Sequence, residues 1–270
     1  GAEEEEEEEE HPEDEEEEEE DKDKEAASVK FPDAFPNSVR HWLLIGLLMM
    51  FVGLVVTFVF TFVPSKELAM PNVLCFMICG VSMCAYYCMW AGVGVVFKTT
   101  DVTPRVIFFP KFLDWLLTGP LIVLTLALLA GAKAPVMVAL VGNALLFFLC
   151  LLVGATLVAP YKYMWWVVGM LFYGMVLLIL FRAQKKSASS TLRTLAILTF
   201  LSWSIWPFLW LLGMEGTGAL GLSQQVALTA MVDLLAKVVF AVIVVTSGQE
   251  MGLGDDEEER VMRTRFSSVI

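Results

Sequence analysis

Seven apolar stretches of helix-spanning length limit the fold of this chain more than any other feature of its sequence. Each holds about 20 residues, which at a helical rise of about 1.5 Å per residue cross about 30 Å of hydrocarbon. A chain in lipid satisfies the backbone hydrogen bonds of such stretches by forming helices. The sequence therefore predicts an all-α membrane protein, a seven-transmembrane-helix bundle. The predicted spans are residues 41–63, 73–97, 105–130, 135–158, 163–181, 192–212 and 225–246.

The acidic charge of the chain is concentrated at its N-terminus. The first 30 residues hold 19 of the 31 Asp and Glu residues, so the formal net charge of −13 describes this segment and not the apolar body. A run of Glu buries no apolar surface, and we expect it to be disordered. We therefore divide the chain into a disordered acidic tail and lead-in (1–40), a bundle (41–247) and a C-terminal tail (248–270).

The placement of Lys and Arg predicts the orientation of the bundle, because basic residues favour the inner side of a membrane. With the N-terminus outside, nine basic residues fall on the inner side and five on the outer side. The C-terminal tail is then cytoplasmic. The inner set is Lys66, Lys133, Arg182, Lys185, Lys186, Arg193, Arg260, Arg263 and Arg265, and the outer set is Lys30, Arg40, Lys98, Arg105 and Lys162.

The five cysteines all lie inside apolar stretches. Two pairs have a spacing of four residues, but neither has a His or an acidic residue nearby to complete a metal site. A buried Cys behaves as a small apolar residue. We therefore expect core packing, with no metal and no disulfide framework. The cysteines are Cys75, Cys79, Cys84, Cys88 and Cys150.

Four ionisable residues lie deep inside the predicted spans. Lys111 and Asp114 are in the third span, and Asp233 and Lys237 are four apart in the seventh, on one helical face. Each charge at a helix centre costs roughly 2.5–3.5 kcal/mol on insertion scales. The four charges neutralise one another only if the third and seventh helices touch, so we expect one cluster. A purely structural ion pair is the alternative.

The third span also carries a line of polar residues. Thr118 is one turn after Asp114, and Thr125 is eleven residues after it, which returns to nearly the same face about 16 Å along the axis. The alternative for both Thr hydroxyls is a hydrogen bond to a carbonyl of their own helix.

Tryptophans accompany these charges. Trp115 and Trp203 lie deep in their spans and are suited to enclosing a flat apolar ligand. Trp165 and Trp210 are candidates for an aromatic belt at the membrane interface.

Three motifs together resemble the microbial (type I) rhodopsin family, close to the bacteriorhodopsin pattern, across residues 41–247. The third span reads Lys-Phe-Leu-Asp-Trp-Leu-Leu-Thr-Gly-Pro-Leu from Lys111. The sixth reads Trp-Ser-Ile-Trp-Pro-Phe-Leu-Trp from Trp203, and the seventh reads Asp-Leu-Leu-Ala-Lys from Asp233. Their order, their spacing and the helices that carry them agree with the family, which also has its N-terminus outside.

The resemblance implies a chromophore and a role for each motif residue. Lys237 would carry all-trans retinal as a protonated Schiff base, with Asp114 and Asp233 as counterions and Asp114 as proton acceptor. Thr118 would be the hydrogen-bond partner of Asp114, and Tyr86 or Tyr87 that of Asp233. The residues implied to enclose the retinal and shape its ring end are Trp115, Trp166, Trp203, Trp206, Tyr173, Pro207, Gly142 and Phe147.

Four positions depart from the family pattern. Lys111 stands where an Arg is usual, and it lacks the planar fork of a guanidinium. Thr125 replaces the inner proton-donor carboxylate of the pumps. Glu215 matches one of the two outer release acids, while Gln225 occupies the position of the other. Trp206 replaces a frequent Tyr.

The motifs favour a light-driven outward proton pump with slow reprotonation, because Asp114 and Thr118 are intact. A photosensor that signals through a separate partner is the alternative, since the loss of a donor suits a slow cycle. A light-gated cation channel ranks last because residues 73–97 contain no acidic residue. The motif fits neither a chloride nor a sodium pump.

The family resemblance also implies binding partners besides the retinal. We expect membrane lipid, protons as the transported ion and a homo-oligomer, with no nucleic acid and no enzymatic activity. A seven-helix receptor or transporter without a chromophore is the alternative from a different class. Pigment formation with all-trans retinal separates the two.

Overall fold

The computed structural model describes residues 36–63, 68–93, 96–98, 105–184 and 189–247. Within them, seven helices are long and apolar enough to cross a membrane, so the predicted all-α seven-span class is confirmed. The predicted disorder of residues 1–35 and the predicted cytoplasmic tail 248–270 lie outside the described residues. The helices are α1 Asn37–Phe62, α2 Met70–Ala91, α3 Phe109–Leu129, α4 Ala134–Thr156, α5 Tyr161–Gln184, α6 Ser190–Leu212 and α7 Leu222–Ser247.

The predicted second and third spans are too long at the ends that face each other. Helix α2 ends at Ala91, where Gly92 has φ 69°, a left-handed conformation that glycine adopts without steric cost. Two short antiparallel strands, β1 Val96–Lys98 and β2 Val106–Phe108, then form a hairpin. Helix α3 therefore begins at Phe109, and Arg105 lies outside it. Apolar composition alone did not distinguish these strands from helix.

Helices α3 and α7 form the centre of the bundle. Helices α1 to α5 pack against one another in chain order, and α7 contacts α1, α2 and α6. The most apolar windows of α3 and α7 are each 61% buried, against 17% for α5. Large apolar side chains such as Phe51, Leu171 and Phe208 are exposed on the outside. This surface is the one expected to face lipid.

The two ends of the bundle are distinguished by the course of α3. Its first turn, together with the hairpin and the connection from α6 to α7, forms the end that we call the Glu215 end. Its last turn and the tight connection to α4 at Gly131 form the other, which we call the Thr125 end.

The cysteines follow the core-packing prediction only in part. Cys75, Cys79 and Cys150 are buried, but Cys84 is exposed on the outside of α2 and Cys88 is half-buried. All five are free thiols. Cys84 lies on the face of α2 that turns away from its neighbours, where a small apolar residue is compatible with lipid.

Candidate functional site

A fully buried ion cluster joins α3 and α7 at the centre of the bundle. The Lys237 Nζ lies 2.5 Å from Oδ2 of Asp114 and 3.5 Å from Oδ1 of Asp233. The side chain of Lys237 is 0% exposed, and the two carboxylates are at most 2% exposed. Two carboxylates thus lie within ion-pair distance of one amine, in a place closed to solvent.

The seventh helix is distorted where it carries the amine. Residues Leu234–Val239 form a π-helical turn, which is wider than an α-helical turn by one residue. The turn lies directly after Asp233, which ends the first α-helical part of α7, and the helix is α-helical again from Phe240. Lys237 lies within the turn, and its side chain reaches the same cluster as that of Asp233.

Lys111 does not belong to this cluster, and the prediction of one four-residue group is corrected. Its amine forms a salt bridge with Glu215 at the Glu215 end. The other carboxylate oxygen of Glu215 accepts a hydrogen bond from the Gln225 amide, whose Oε1 accepts from the Met214 N–H at 3.0 Å. Lys111 is in the first turn of α3, one turn before Asp114, and reaches the α6–α7 connection more readily than the bundle centre.

The second helix supplies hydroxyls to both carboxylates. Tyr86 donates to Oδ2 of Asp233 at 2.7 Å, while Tyr87 is 52% exposed on the outside. The one-residue ambiguity in α2 is thereby resolved. Ser82, which the sequence analysis did not single out, donates to Oδ1 of Asp114 at 2.7 Å.

The threonines of α3 bind chiefly to their own helix. Thr118 donates to the backbone oxygen of Asp114 at 2.8 Å, and its hydroxyl lies 3.4 Å from Oδ1 of the same residue. Thr125 donates to the Leu121 carbonyl at 2.8 Å. Such bonds satisfy a buried hydroxyl without a partner from another helix.

A continuous group of aromatic side chains extends from the amine into the bundle. The Lys237 Nζ lies 4.5 Å from the centre of the Trp115 ring. From Trp115 the ring centroids follow one another at 5.2 Å to Phe148, 4.6 Å to Phe147 and 5.2 Å to Tyr173. We call these four residues, with Trp203 and Trp206, the aromatic cluster; Phe148 was not foreseen from the sequence.

Trp203 and Trp206 of α6 close the aromatic cluster on its other side. The ring centroid of Trp203 lies 5.2 Å from that of Phe148 and 6.0 Å from that of Trp115. The Trp206 centroid lies 5.5 Å from the Trp115 centroid. The indole N–H groups of Trp115, Trp203 and Trp206 are buried and have no hydrogen-bond partner among the described residues.

Hydrogen bonds to α6 fix the outer members of this region. Tyr173 of α5 shares a hydrogen bond of 2.7 Å with the Ser204 hydroxyl. The indole N–H of Trp166 donates to the carbonyl of Pro207 at 3.1 Å. Pro207 lies inside α6. These contacts hold α5 against α6 beside the aromatic cluster.

One prediction about this region is corrected and another stays a prediction. A Cβ at Gly142 would meet no protein atom within 4 Å, so its place at the ring end of the retinal stays a prediction. Trp210 is not an interfacial residue: it is 2% exposed and donates to the Leu151 carbonyl at 3.0 Å. Trp165, by contrast, is 39% exposed, as expected of a belt residue.

Two basic residues that were assigned to outer loops are buried at the Glu215 end. Arg105 donates to the backbone oxygens of Met214, Glu215 and Leu157. Lys162, in the first turn of α5, donates to the Gly216 carbonyl at 2.5 Å. Both cations hold the α6–α7 connection that carries Glu215, because backbone carbonyls there need donors when buried.

The acidic residues are unevenly distributed along the bundle axis. The described part of the chain contains three, Asp114 and Asp233 at the centre and Glu215 at one end. The Thr125 end therefore has no carboxylate among the described residues. The buried polar side chains toward the Thr125 end include Thr57 and Thr199, whose hydroxyls donate to carbonyls of their own helices.

Comparison with known proteins agrees with this site. The family model described as "Bacteriorhodopsin-like protein" matches residues 37–251. Archaerhodopsin-3 of Halorubrum sodomense is 32% identical over 223 residues, which are 78% of this chain and 85% of that protein. Sensory rhodopsin-2 of Haloarcula vallismortis is 31% identical over 232 residues, 82% of this chain and 96% of that protein.

A solved structure of low sequence identity has the same fold. The light-driven proton pump Coccomyxa subellipsoidea rhodopsin CsR superposes with a TM-score of 0.74 at 24% identity, covering 79% of this chain and 98% of that one. Because the family match includes all seven helices and every residue of the central cluster, the chain belongs to the bacteriorhodopsin-like family of microbial rhodopsins, integral membrane proteins that bind retinal through a Schiff base.

Proposed function

We propose that this protein is a light-driven outward proton pump in which Lys237 carries all-trans retinal and Asp114 accepts the proton. The observation that carries the proposal is the 2.5 Å contact between the Lys237 Nζ and Oδ2 of Asp114 in a site closed to solvent. An ion pair needed only for stability is often replaceable by apolar residues. Here the amine also adjoins an aromatic cluster, which a structural ion pair does not require.

The residues around Lys237 fit a long, flat, apolar group with a cationic end. The two carboxylates supply the negative charge that such an end requires. Trp115, Trp203 and Trp206 supply broad apolar faces, and their buried indole N–H groups have no partner among the described residues. Tyr173 and Phe147 continue the aromatic surface away from the amine, with centroids 5.2 Å apart.

The proton chemistry follows from the geometry of the carboxylates. Retinal, when bound, supplies the light-driven change that moves the N–H bond of the Lys237 nitrogen. A proton that leaves this nitrogen has Asp114 as its nearest acceptor, since Asp233 is 1.0 Å farther away (3.5 against 2.5 Å) and accepts the Tyr86 hydroxyl. Asp233 is therefore placed to hold the nitrogen in position.

The path from Asp114 to the outside is expected to run toward the Glu215 end. A cavity at this end is lined by Tyr86, Lys111, Glu215, Gln225 and Thr229. Tyr86, which is bonded to Asp233 of the central ion cluster, and the Lys111–Glu215 salt bridge therefore line the same cavity. With the N-terminus outside, as the basic residues favour, transfer in this direction exports a proton.

Reprotonation is expected to be slow. Thr125 stands where a donor carboxylate would act, its hydroxyl is already bonded to the Leu121 carbonyl, and a hydroxyl does not donate a proton at physiological pH. The nitrogen of Lys237 must then recover its proton from water that enters from the Thr125 end.

The test is illumination of cells or vesicles that contain the full chain and all-trans retinal. We expect acidification outside the cell that an uncoupler abolishes. Lys237→Ala should form no pigment, and Asp114→Asn should form pigment without transport, whereas the outward-facing Tyr87→Phe should behave as wild type. Pigment without an uncoupler-sensitive pH change would overturn the pump, and a colourless wild type would overturn retinal binding.

A photosensor is the second candidate, favoured by the missing carboxylate at the Thr125 end. A slow cycle prolongs the light-activated state, and one relative of this chain is named sensory rhodopsin-2. Two charged segments are the candidates to meet a partner, residues 182–193 and 255–265. Residues 185–188 and the whole of 255–265 lie outside the described residues. Co-purification of a partner together with a negligible photocurrent would favour this function.

A further inference from the structure

We infer that Ser82 of α2, and not Thr118 of α3, is the hydroxyl that positions the Asp114 carboxylate and limits how strongly it holds a proton. The inference rests on the proposed role of Asp114 as proton acceptor. It names a positioning residue on a different helix from the acceptor, at a position that none of the three family motifs includes.

The hydrogen bonds of the two hydroxyls carry the inference. The Ser82 hydroxyl lies 2.7 Å from Oδ1 of Asp114, a full hydrogen bond between buried groups. The Thr118 hydroxyl has one proton to donate, and the better acceptor is the Asp114 backbone oxygen at 2.8 Å, since Oδ1 is at 3.4 Å. Thr118 is therefore occupied by its own helix, and Ser82 is the principal hydroxyl donor to the carboxylate.

The behaviour of Ser82 is unusual for a helical serine. Serine and threonine in membrane helices commonly donate to the carbonyl four residues earlier, as Thr118, Thr125 and Ser202 do here. The Ser82 hydroxyl instead crosses to α3. Its residue is 0% exposed and Asp114 is 2% exposed, so water does not substitute for the bond, and the two helices are fixed to each other at the acceptor.

The other groups that face Asp114 make no short hydrogen bond to its Oδ1, the oxygen that Ser82 contacts. From α7, Lys237 occupies Oδ2, and Asp233 lies close enough to interact electrostatically. From α2, Tyr86 and Cys79 also interact with Asp114, but the Tyr86 hydroxyl donates to Asp233. On α3, the charge of Lys111 is paired with Glu215. Oδ1 therefore depends on Ser82 for its short hydrogen bond.

A donor bonded to a carboxylate stabilises the ionised form, so removing it raises the affinity for a proton. A hydrogen bond to a charged group typically changes this affinity by about ten- to a hundredfold, or about one to two pH units. Protonation of a counterion changes the colour of a pigment whose cation it balances. The midpoint pH of the acid-induced colour change of Asp114 therefore measures the contribution of each hydroxyl.

The experiment is a spectrophotometric acid titration of the full chain reconstituted with all-trans retinal. Four proteins are compared: wild type, Ser82→Ala, Thr118→Val and Asp114→Asn. Asp114→Asn identifies the transition, because it should lack it. We expect the midpoint of Ser82→Ala to rise by about one to two pH units and that of Thr118→Val to rise by less. Ser82→Thr, which keeps the hydroxyl, should restore the midpoint toward wild type.

The inference is overturned if Ser82→Ala titrates as wild type does, or if Thr118→Val shifts the midpoint as much as Ser82→Ala. Should Ser82→Ala yield no pigment, Ser82→Cys keeps the size of the side chain, replaces the hydroxyl with a thiol that is a much weaker donor, and gives the same two outcomes. A failure of the proposed function is distinct from either result: the wild type would then form no pigment, or would form one that moves no protons while its titration could still be compared.

Discussion

The Tyr86 hydroxyl of α2 donates a hydrogen bond of 2.7 Å to Oδ2 of Asp233 on α7, while Tyr87, the next residue, is 52% exposed. The Tyr86 ring fits against α1 because residue 46 is glycine, where an added Cβ would lie 2.2 Å from the ring. Tyr86 thus packs against α1 and links α2 to the buried carboxylate of α7. Two adjacent tyrosines thus have opposite roles, which makes them a matched pair for experiment.

Tyr86→Phe is expected to destabilise the protein, and Tyr87→Phe is not. The first change removes the hydroxyl donor from a buried carboxylate, at a cost of about 1–3 kcal/mol in the free energy of unfolding. The second removes a hydroxyl on the outside, where effects are usually within about 0.5 kcal/mol. Reversible unfolding in detergent, followed by pigment colour, measures both. Equal losses would contradict the assignment of Tyr86.

The salt bridge between Lys111 and Glu215 is predicted to matter more for stability than a surface pair would. Its two side chains are 10% and 2% exposed, and a buried partner left alone typically costs about 3–5 kcal/mol. We therefore expect Lys111→Met to lower the free energy of unfolding by about this amount, since it strands the Glu215 charge.

A double-mutant cycle separates the pair from its surroundings. Glu215→Gln can still bind Gln225, and Lys111→Met with Glu215→Gln leaves no unpaired charge. The double variant should thus be more stable than Lys111→Met alone. If its loss equals the sum of the two single losses, the residues do not interact.

The sequence was sufficient to predict the central ion cluster because charges inside a membrane are rare and costly. Asp114, Asp233 and Lys237 stand out in apolar spans, and neutralisation requires that their helices touch. The partner of Lys111 was assigned wrongly for a related reason. Glu215 lies in a connection and carries no burial signal of its own; only the three-dimensional course of the α6–α7 segment brings it to the first turn of α3.

Small and apolar residues around the site could not be assigned from sequence. Ser82 has no distinguishing spacing, and its contact depends on how α2 is rotated against α3. Phe148 stands beside Phe147 in an apolar helix, where composition does not say which residues face inwards. Helix rotation is set by packing that a single sequence does not display.

Thr125→Asp is predicted to shorten the photocycle. If reprotonation of the Lys237 nitrogen depends on water, its rate in the wild type should fall as pH rises, in proportion to the proton concentration. A carboxylic acid at position 125, which is buried at the Thr125 end, supplies a local proton and should make the rate nearly independent of pH near neutrality. Time-resolved absorption across a pH series measures this, with Thr125→Val as the control that keeps the slow, pH-dependent cycle. A wild-type cycle that does not vary with pH would contradict the missing donor.

Gly119→Ala is predicted to disturb the aromatic cluster, whereas Gly142→Ala should not. A Cβ at Gly119 would lie 2.3 Å from Cε2 and 2.8 Å from Cδ2 of Phe148, too close for any real contact. Phe148 is itself held by neighbouring rings, since its centroid is 4.6 Å from Phe147 and 5.2 Å from Trp203. Overpacking of this kind costs about 1–3 kcal/mol, and we expect lower pigment yield and a shifted absorption maximum.

At Gly142 an added Cβ would meet no protein atom within 4 Å. Alanine is also the better helix former by about 0.5–1 kcal/mol, so the pigment yield should match the wild type. Both variants add one methyl group to a glycine in a membrane helix, so their difference reports the surroundings alone. A loss of yield in Gly142→Ala comparable to that in Gly119→Ala would contradict the difference in packing between the two glycines. A colour shift at normal yield would support the predicted place of Gly142 at the ring end of the retinal.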